Sequence, residues 1–163
     1  MVPSLKMSPI VAPAPLPAAL HAARRAIPEA ADSELVLDFG PESAQIVVTP
    51  AGPLSRAVLA AAEKQSAPAS LAVVAHDRAF WHWFITPVDS WDEDPVHSFH
   101  FRHGTVILPP ISRTGPPGDY WVRTPGACLV DPLVLAEALR HVARTWPACA
   151  HGGARLSAGE MRR

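Results

Sequence analysis

Three histidines recur at intervals of three residues in the middle of the chain, His97, His100 and His103, beside the acidic run 92–94. Imidazole and carboxylate groups bind transition metals, so this cluster is the first pattern to weigh as a metal site. The phenylalanines on either side of His100 give the alternation of a β-strand, in which His97 and His100 point to opposite faces of a sheet. The spacing therefore predicts hydrogen-bonded or solvated histidines and no metal site.

The run 80–84 (Phe-Trp-His-Trp-Phe) is the densest group of aromatic residues in the sequence. In a β-strand, Phe80, His82 and Phe84 share one face, and the two tryptophans share the other. Aromatic side chains on an open sheet can stack on nucleic-acid bases, whereas burial on both faces of a central strand requires no ligand. We predict a central strand with buried aromatic residues, and we retain His82 as a candidate ligand contact.

The short motifs of nucleophilic catalysis and phosphate binding are absent from the sequence. It contains no Gly-x-Ser-x-Gly elbow, no Gly-x-Gly-x-x-Gly loop and no Gly-Lys-Ser/Thr. Four scattered acids lie in a predicted linker and on an exposed strand edge, which indicates solvated carboxylates: Asp32, Glu34, Asp38 and Glu42. We therefore predict no catalytic residue.

Composition narrows the classes of function. The 163 residues are 48% hydrophobic and 18% charged, which is typical of one folded domain. The formal charge of −1 excludes a general basic field, so any binding of nucleic acid must use a local arginine patch. Cys128 and Cys149 predict buried, reduced thiols. Because no apolar run is long enough to cross a bilayer, we expect a cytoplasmic protein without membrane contact.

Proline content and apolar periodicity divide the chain into three predicted segments. These are a disordered Pro/Ala-rich leader over 1–15, a single α+β domain over 16–150 and a frayed tail over 151–163. The domain is expected to begin with a short helix, 16–27. Its predicted strands are 34–39, 45–49, 71–75, 80–86, 98–101, 105–108 and 120–123.

Turn residues predict how some of these strands pair. Gly40-Pro41 favours a hairpin between the first two strands, and residues 76–78 favour one between the third and fourth. The Gly/Pro-rich segment 112–119 is predicted to be a long hairpin tip, with 120–123 as the returning strand.

Two helices are predicted to pack on this sheet, 53–64 and 131–146. In the second, Asp131 is a good N-cap and Pro132 suits the first helical position. An apolar stripe follows at helical spacing: Leu135, Leu139, Val142 and Trp146. The expected fold class is α+β, with a mainly antiparallel or mixed sheet and two packing helices.

The segment 45–146 resembles the N-terminal domain of bacterial bifunctional primase-polymerases, in which a strand ending in Pro-Pro-Ser leads through a Gly-containing turn to a Tyr-x-Trp-like strand. The matching residues are Leu108-Pro109-Pro110, Ser112, Gly115, Gly118 and Tyr120-Trp121. The strand 80–87 and the helix start 129–132 are also similar to segments of that family. The resemblance implies a primase-polymerase-like fold and a role with nucleic acid or nucleotides.

Active members of that family hold divalent cations with an Asp-x-Asp/Glu strand, and two-metal phosphoryl transfer depends on such carboxylates. The equivalent strand here ends in Val48-Thr49-Pro50, and His100 stands where a later metal-binding Asp is expected. The departures predict a non-catalytic relative without a cofactor that binds a nucleic acid, a nucleotide or a protein partner. The candidate contacts are His82, His100, Arg102, Arg113 and Arg123.

Two alternatives stay open. One is an active nucleotidyl transferase of primase/polymerase type, in which displaced ligands such as Asp38, His82 and His100 hold Mg²⁺ or Mn²⁺. The other is a regulatory protein-interaction domain that uses the Pro-rich leader as a tether. A one-sided arginine patch favours nucleic acid, an exposed apolar patch favours a protein partner, and clustered carboxylates near His82 favour the enzyme.

Overall fold

The structure, a computed structural model, describes residues 34–67, 71–76, 78–91, 98–126 and 128–146. This part of the chain forms two helices and two antiparallel sheets, which confirms the α+β class. The predicted leader, first helix and tail lie outside the described residues, as does Cys149. The strands are β1 (Leu35–Phe39), β2 (Gln45–Pro50), β3 (Val73–His76), β4 (Phe80–Ile85), β5 (Phe99–Phe101), β6 (Gly104–Leu108) and β7 (Tyr120–Arg123), and the helices are α1 (Pro53–Glu63) and α2 (Pro132–Thr145).

Five strands form the main sheet, in the order β5-β2-β4-β3-β7, while β1 and β6 form a separate two-stranded ribbon. The predicted hairpin of β3 and β4 is confirmed, with His76 opposite Phe80 and Val73 opposite Trp83. As predicted, β4 is the central strand, and Trp81, Trp83 and Phe84 are buried.

Two of the predicted strand pairings are wrong. β1 pairs with β6 rather than with β2, although the chain turns at the bridge between Gly40 and Ala44. β2 cannot accept it, because β4 and β5 already occupy its two edges. β7 pairs with β3 rather than with β6, so the segment before it is a connection between layers and not a hairpin tip.

Both helices lie on one face of the main sheet and contact each other. The N-cap prediction is confirmed, since Asp131 Oδ1 accepts a hydrogen bond of 2.8 Å from the backbone N–H of Leu133. Leu135, Leu139 and Val142 are buried against the sheet, and Trp146 packs on the same cluster while partly buried. We call this side of the sheet the helix face.

A chain of hydroxyl groups joins α1 to the helix face. Trp83 Nε1 donates to Thr49 Oγ1 (2.9 Å), Ser55 Oγ lies 2.6 Å from Thr49 Oγ1, and Ser55 donates to the Pro50 carbonyl (2.6 Å). Because the single hydroxyl proton of Ser55 goes to Pro50, Thr49 must donate to Ser55. The polar groups of Trp83, Thr49 and Ser55 therefore all have hydrogen-bond partners, as burial requires.

The β1–β6 ribbon packs on the opposite side of the sheet, which we call the ribbon face. Leu37 and Phe39 of β1 and Val106 and Leu108 of β6 are buried there with residues of the main sheet. Cys128 is exposed, so the prediction that it is a buried thiol is wrong. In the described ranges, no helix is long and apolar enough to cross a bilayer.

Candidate binding groove

The ribbon covers only part of the ribbon face, and a groove of about 470 Å³ lies beside it. Its lining is almost entirely apolar, with one histidine and one threonine: Phe39, Ile46, Val48, Phe80, His82, Phe99, Phe101, Thr105 and Val106. This volume is within the range of pockets that hold small molecules or side chains, roughly 300–1,000 Å³. We call it the aromatic groove.

Strand register explains why these residues meet. Val48 of β2 lies opposite His82 of β4 on one side and opposite Phe99 of β5 on the other. Directly paired residues project to the same face of a sheet, so the three side chains form one row across it. Ile46 and Phe101 belong to a parallel row two residues along.

Three phenylalanines remain open to solvent around this floor. Phe80 is 45% exposed, Phe99 59% and Phe101 50%, whereas the tryptophans that alternate with Phe80 and His82 on β4 are buried. Phe99 and Phe101 are in β5, the edge strand of the sheet. The exposed phenylalanines therefore form a cluster around the groove rather than scattered surface residues.

The ribbon forms the opposite wall with Phe39, Thr105 and Val106. Gly104 has a φ of +155°, and a Cβ at this position would lie 3.0 Å from Cζ of Phe39. Glycine therefore suits this position, because it lets the end of the Phe39 ring approach the start of β6. Thr105 and Asp38 are directly paired across the ribbon, and the exposed Thr105 hydroxyl donates to Asp38 Oδ1 (2.6 Å).

A second histidine and an acid support His82 at the floor. The rings of His76 and His82 are nearly perpendicular, at 83°, with centroids 4.9 Å apart. Nδ1 of His76 lies 2.6 Å from Oδ2 of Asp119, which is within the distance of an ion pair. Asp119, His76 and His82 thus form a continuous row that ends in the groove.

His100 lies on the other face of the sheet. The backbone N–H of Val88 donates to Gln45 Oε1 (3.1 Å), which fixes this oxygen as an acceptor. Nε2 of His100 is 2.8 Å from the same oxygen and must therefore carry a proton. Burial lowers the pKa of His100, and the positive charge of Arg102 lowers that pKa further.

The structure does not bring the five candidate contacts together. His82 and His100 are on opposite faces, and Arg123 is on β7, at the far edge from β5. Arg123 donates from Nε to Glu63 Oε1 (2.6 Å), so it joins β7 to α1. Arg102 is exposed in the turn between β5 and β6, and Arg113 is exposed in the connection before β7.

The ligand set of the enzyme alternative is also dispersed. Asp38 is bound to Thr105 on the ribbon, His82 lines the groove, and His100 contacts Gln45 on the helix face. Within the described part of the chain, no three His, Cys, Asp or Glu side chains are grouped closely enough to hold a metal ion.

Five residues of the site were not predicted from sequence: Phe80, Phe99, Phe101, His76 and Asp119. The alternation of residues 80–84 correctly placed Phe80 beside His82, and the alternation around His100 made a strand of 99–101. No local signal, however, indicates which part of a sheet face stays uncovered. Comparison of the chain with protein-family models, with curated proteins and with solved structures finds no match.

Proposed function

We propose that this chain is a non-catalytic relative of the N-terminal domain of bacterial primase-polymerases, and that its aromatic groove binds an apolar segment of a partner protein. The observation that carries the proposal is the cluster of three half-exposed phenylalanines around an apolar groove. Contiguous apolar surface of this kind is typical of protein interaction sites, and aromatic residues dominate the binding energy of such sites.

The relation to the primase-polymerases depends on the segment from Leu108 to Trp121. This segment is anchored at both ends, because the backbone N–H of Trp121 donates to the Arg113 carbonyl (2.8 Å) and Trp121 Nε1 donates to the Pro109 carbonyl (3.1 Å). The absence of catalysis is supported by Thr49, which stands in the strand where active relatives carry acids and is committed to the buried hydroxyl chain.

A protein partner fits the distribution of charge better than a nucleic acid. Binding to phosphates needs several cations on one surface. Here Arg123 is engaged by Glu63 at the opposite edge of the sheet, and the groove lining contains no arginine or lysine.

The edge strand suggests how such a segment binds. Among the described strands, β5 is hydrogen-bonded to β2 alone, and its other edge is where a further strand would add. An extended segment that adds to such an edge gains backbone hydrogen bonds, and its alternate side chains project to one face. Beside β5 that face carries Phe99 and Phe101, so every second side chain of the added strand would enter the groove.

The test is selection of random linear peptides on display against the purified protein, followed by measurement of the dissociation constants of the enriched sequences. We expect enrichment of extended apolar peptides, and a loss of affinity of about tenfold or more in the double variant Phe99→Ser/Phe101→Ser. Ile107→Ser is the matched control, because Ile107 is 51% exposed but lies outside the groove.

Two outcomes overturn the partner-protein proposal. One is that no peptide is enriched on the wild-type protein relative to the double variant. The other is that a single-stranded oligonucleotide binds tightly and loses affinity in the double variant, because the phenylalanines then act as a stacking platform for bases. A primer-extension assay with Mg²⁺ and Mn²⁺ tests the non-catalytic part: template-dependent synthesis that is abolished by His82→Ala would contradict it.

A further inference from the structure

We infer that the β5 edge of the main sheet pairs with the β5 edge of a second copy of this chain, antiparallel and with His100 opposite itself, so that two copies form a symmetric dimer with one continuous sheet. The inference deepens the proposed function and rests on it, since the second copy uses the same edge and groove as the bound segment. It names the partner as another molecule of this chain.

The position of β5 in the sheet is the first step. In the described part of the chain, β5 ends the main sheet, with β2 on one side and no strand on the other. An antiparallel strand added at such an edge continues the hydrogen-bonded ladder. Phe99 and Phe101 of this strand are half exposed, and so is Phe80 beside them in the groove. A second strand at this edge therefore gains backbone hydrogen bonds and covers aromatic surface together.

The symmetry of β5 is the second step. The strand is Phe-His-Phe, which is the same in both directions about His100. When two such strands pair antiparallel with His100 opposite itself, Phe99 of each copy lies opposite Phe101 of the other. Directly paired residues project to the same face, so both phenylalanine pairs lie on the ribbon face and the two grooves meet at the twofold axis. The surface is self-complementary, which a twofold dimer requires.

The distribution of charge is the third step. No acid, arginine or lysine is among the described residues that line the groove, so the two copies bring apolar surfaces together. Arg102 directly follows β5 and is exposed. In the antiparallel register it faces Ser98 of the second copy, and the two Arg102 side chains lie at opposite ends of the paired segment. No like charges therefore oppose each other across the axis, where they would destabilise the pairing.

The area of the aromatic surface indicates how strong the dimer is. Because a phenylalanine buries about 150–250 Å² when it is fully covered, the three half-exposed rings offer roughly 300 Å² per copy. Two copies then bury about 600 Å², whereas stable interfaces bury about 1,200–2,000 Å². We therefore expect a transient dimer with a dissociation constant in the micromolar range, on the order of 1–100 μM. A dimer of this strength can be displaced by a segment that binds more tightly.

Sedimentation of the full chain over a concentration range of about 1 μM to 1 mM tests the dimer. We expect the average mass to rise from one copy toward two. Phe99→Ser/Phe101→Ser should raise the dissociation constant at least about tenfold. Ile107→Ser is the matched control and should associate like the wild-type protein, because Ile107 is 51% exposed but lies outside the groove.

Two sedimentation results overturn the inference. One is a wild-type protein that stays monomeric over the whole range. The other is a dimer that is lost in Ile107→Ser and retained in the double variant, because the copies then meet through the outer side of the ribbon.

Disulfide trapping tests the register. The background is Cys128→Ser/Cys149→Ser, because Cys128 is exposed and would form disulfides of its own. Phe99→Cys and Phe101→Cys in separate copies place the two thiols directly opposite, at about 4.5–5.5 Å between Cβ atoms, whereas two copies of one variant place them diagonally, at about 7–8 Å. We expect the mixture to cross-link about tenfold faster than either variant alone, since a disulfide needs the shorter distance. Equal rates would show that the register is wrong.

The inference and the proposed function can fail separately. If display selection enriches peptides but the protein is monomeric, the second copy is the wrong partner and the proposed function stands. If the protein dimerises through β5 and no peptide is enriched, the binding of other segments fails and the dimer stands. An enriched peptide should dissociate the dimer at concentrations above its dissociation constant. A peptide that binds and leaves the dimer intact would show that the two do not share the β5 edge.

Discussion

The two faces of the main sheet are built from the same strands but are closed to different degrees. On the helix face, α1 and α2 bury Trp81, Trp83 and the hydroxyl chain completely. On the ribbon face, two short strands cover the centre of the sheet and leave Phe80 and the phenylalanines of β5 open. Adjacent residues of β4 therefore lie in different surroundings: the tryptophans are buried in the core, and Phe80 and His82 line the aromatic groove.

The largest expected effect is on the helix face. Leu139→Ala should lower the free energy of unfolding by about 2–5 kcal/mol, because Leu139 is fully buried between α2 and the sheet. Chemical denaturation measures this change. Leu133→Ala is the control on the same helix, since Leu133 is 75% exposed, and its change should stay within about 0.5 kcal/mol. Equal midpoints for the two variants would show that α2 is not docked on the sheet.

A smaller loss of stability is expected when a buried hydroxyl group is removed from the helix face. Thr49→Val keeps the shape of the side chain but removes the acceptor of Trp83 and the donor to Ser55, which should cost about 1–3 kcal/mol. The comparison is Thr105→Val on the ribbon face, where the hydroxyl is exposed and the loss should be below about 1 kcal/mol. Thermal or chemical unfolding measures both changes. Equal losses of stability in Thr49→Val and Thr105→Val would show that the hydroxyl on the helix face is no more important than the one on the ribbon.

The wall of the groove gives the next prediction. Gly104→Ala places a Cβ against the Phe39 ring at a positive φ, so we expect a loss of about 1–2 kcal/mol and a displaced ring. Gly115→Ala is the control, because nothing lies within 4 Å of its Cβ position and its φ is not in the positive range. A crystal structure of Gly104→Ala with Phe39 unmoved would show that the glycine does not shape the groove.

The smallest effect concerns pH. The pKa of His100 is lowered in the folded protein, so its protonation favours the unfolded state. The contribution of neutral His100 to the free energy of unfolding is therefore present above pH 6.5, the ordinary pKa of histidine, and is lost as the pH falls below that value. We expect His100→Gln to show a weaker decline in unfolding midpoint on acidification than the wild-type protein. Parallel declines in the two proteins would show that groups other than His100 determine the loss of stability at acidic pH.

Local signals predicted most of the elements of this fold. The helix start at Asp131-Pro132, the stripe through Leu139 and the hairpin before Phe80 all depend on residues close in sequence, and all three were predicted correctly. The pairing of β1 with β6 and of β7 with β3 was not, because it depends on which apolar faces meet after the chain has folded back. A turn such as Gly40-Pro41 permits a hairpin but does not exclude a distant partner.

The same reason limits prediction of the site. His82 was recognised from its place among aromatic residues, but Phe99, which lines the same groove, and Asp119, which contacts His76, come from separate parts of the chain. Their positions follow from strand order, for which the sequence has no local signal. The arginines were selected as strand-end and hairpin residues, and the structure distributes them over both edges of the sheet.

The ribbon also has a consequence for how the protein is made. β1 is the first strand of the described chain, and its partner β6 follows only after β2, β3, β4 and β5. During synthesis, Leu37 and Phe39 therefore emerge well before the strand that covers them. Contacts between such distant segments form slowly, because the intervening chain must first be closed into a loop. The newly made chain passes through a stage in which the whole ribbon face is open, and this is the stage at which it is most prone to aggregate.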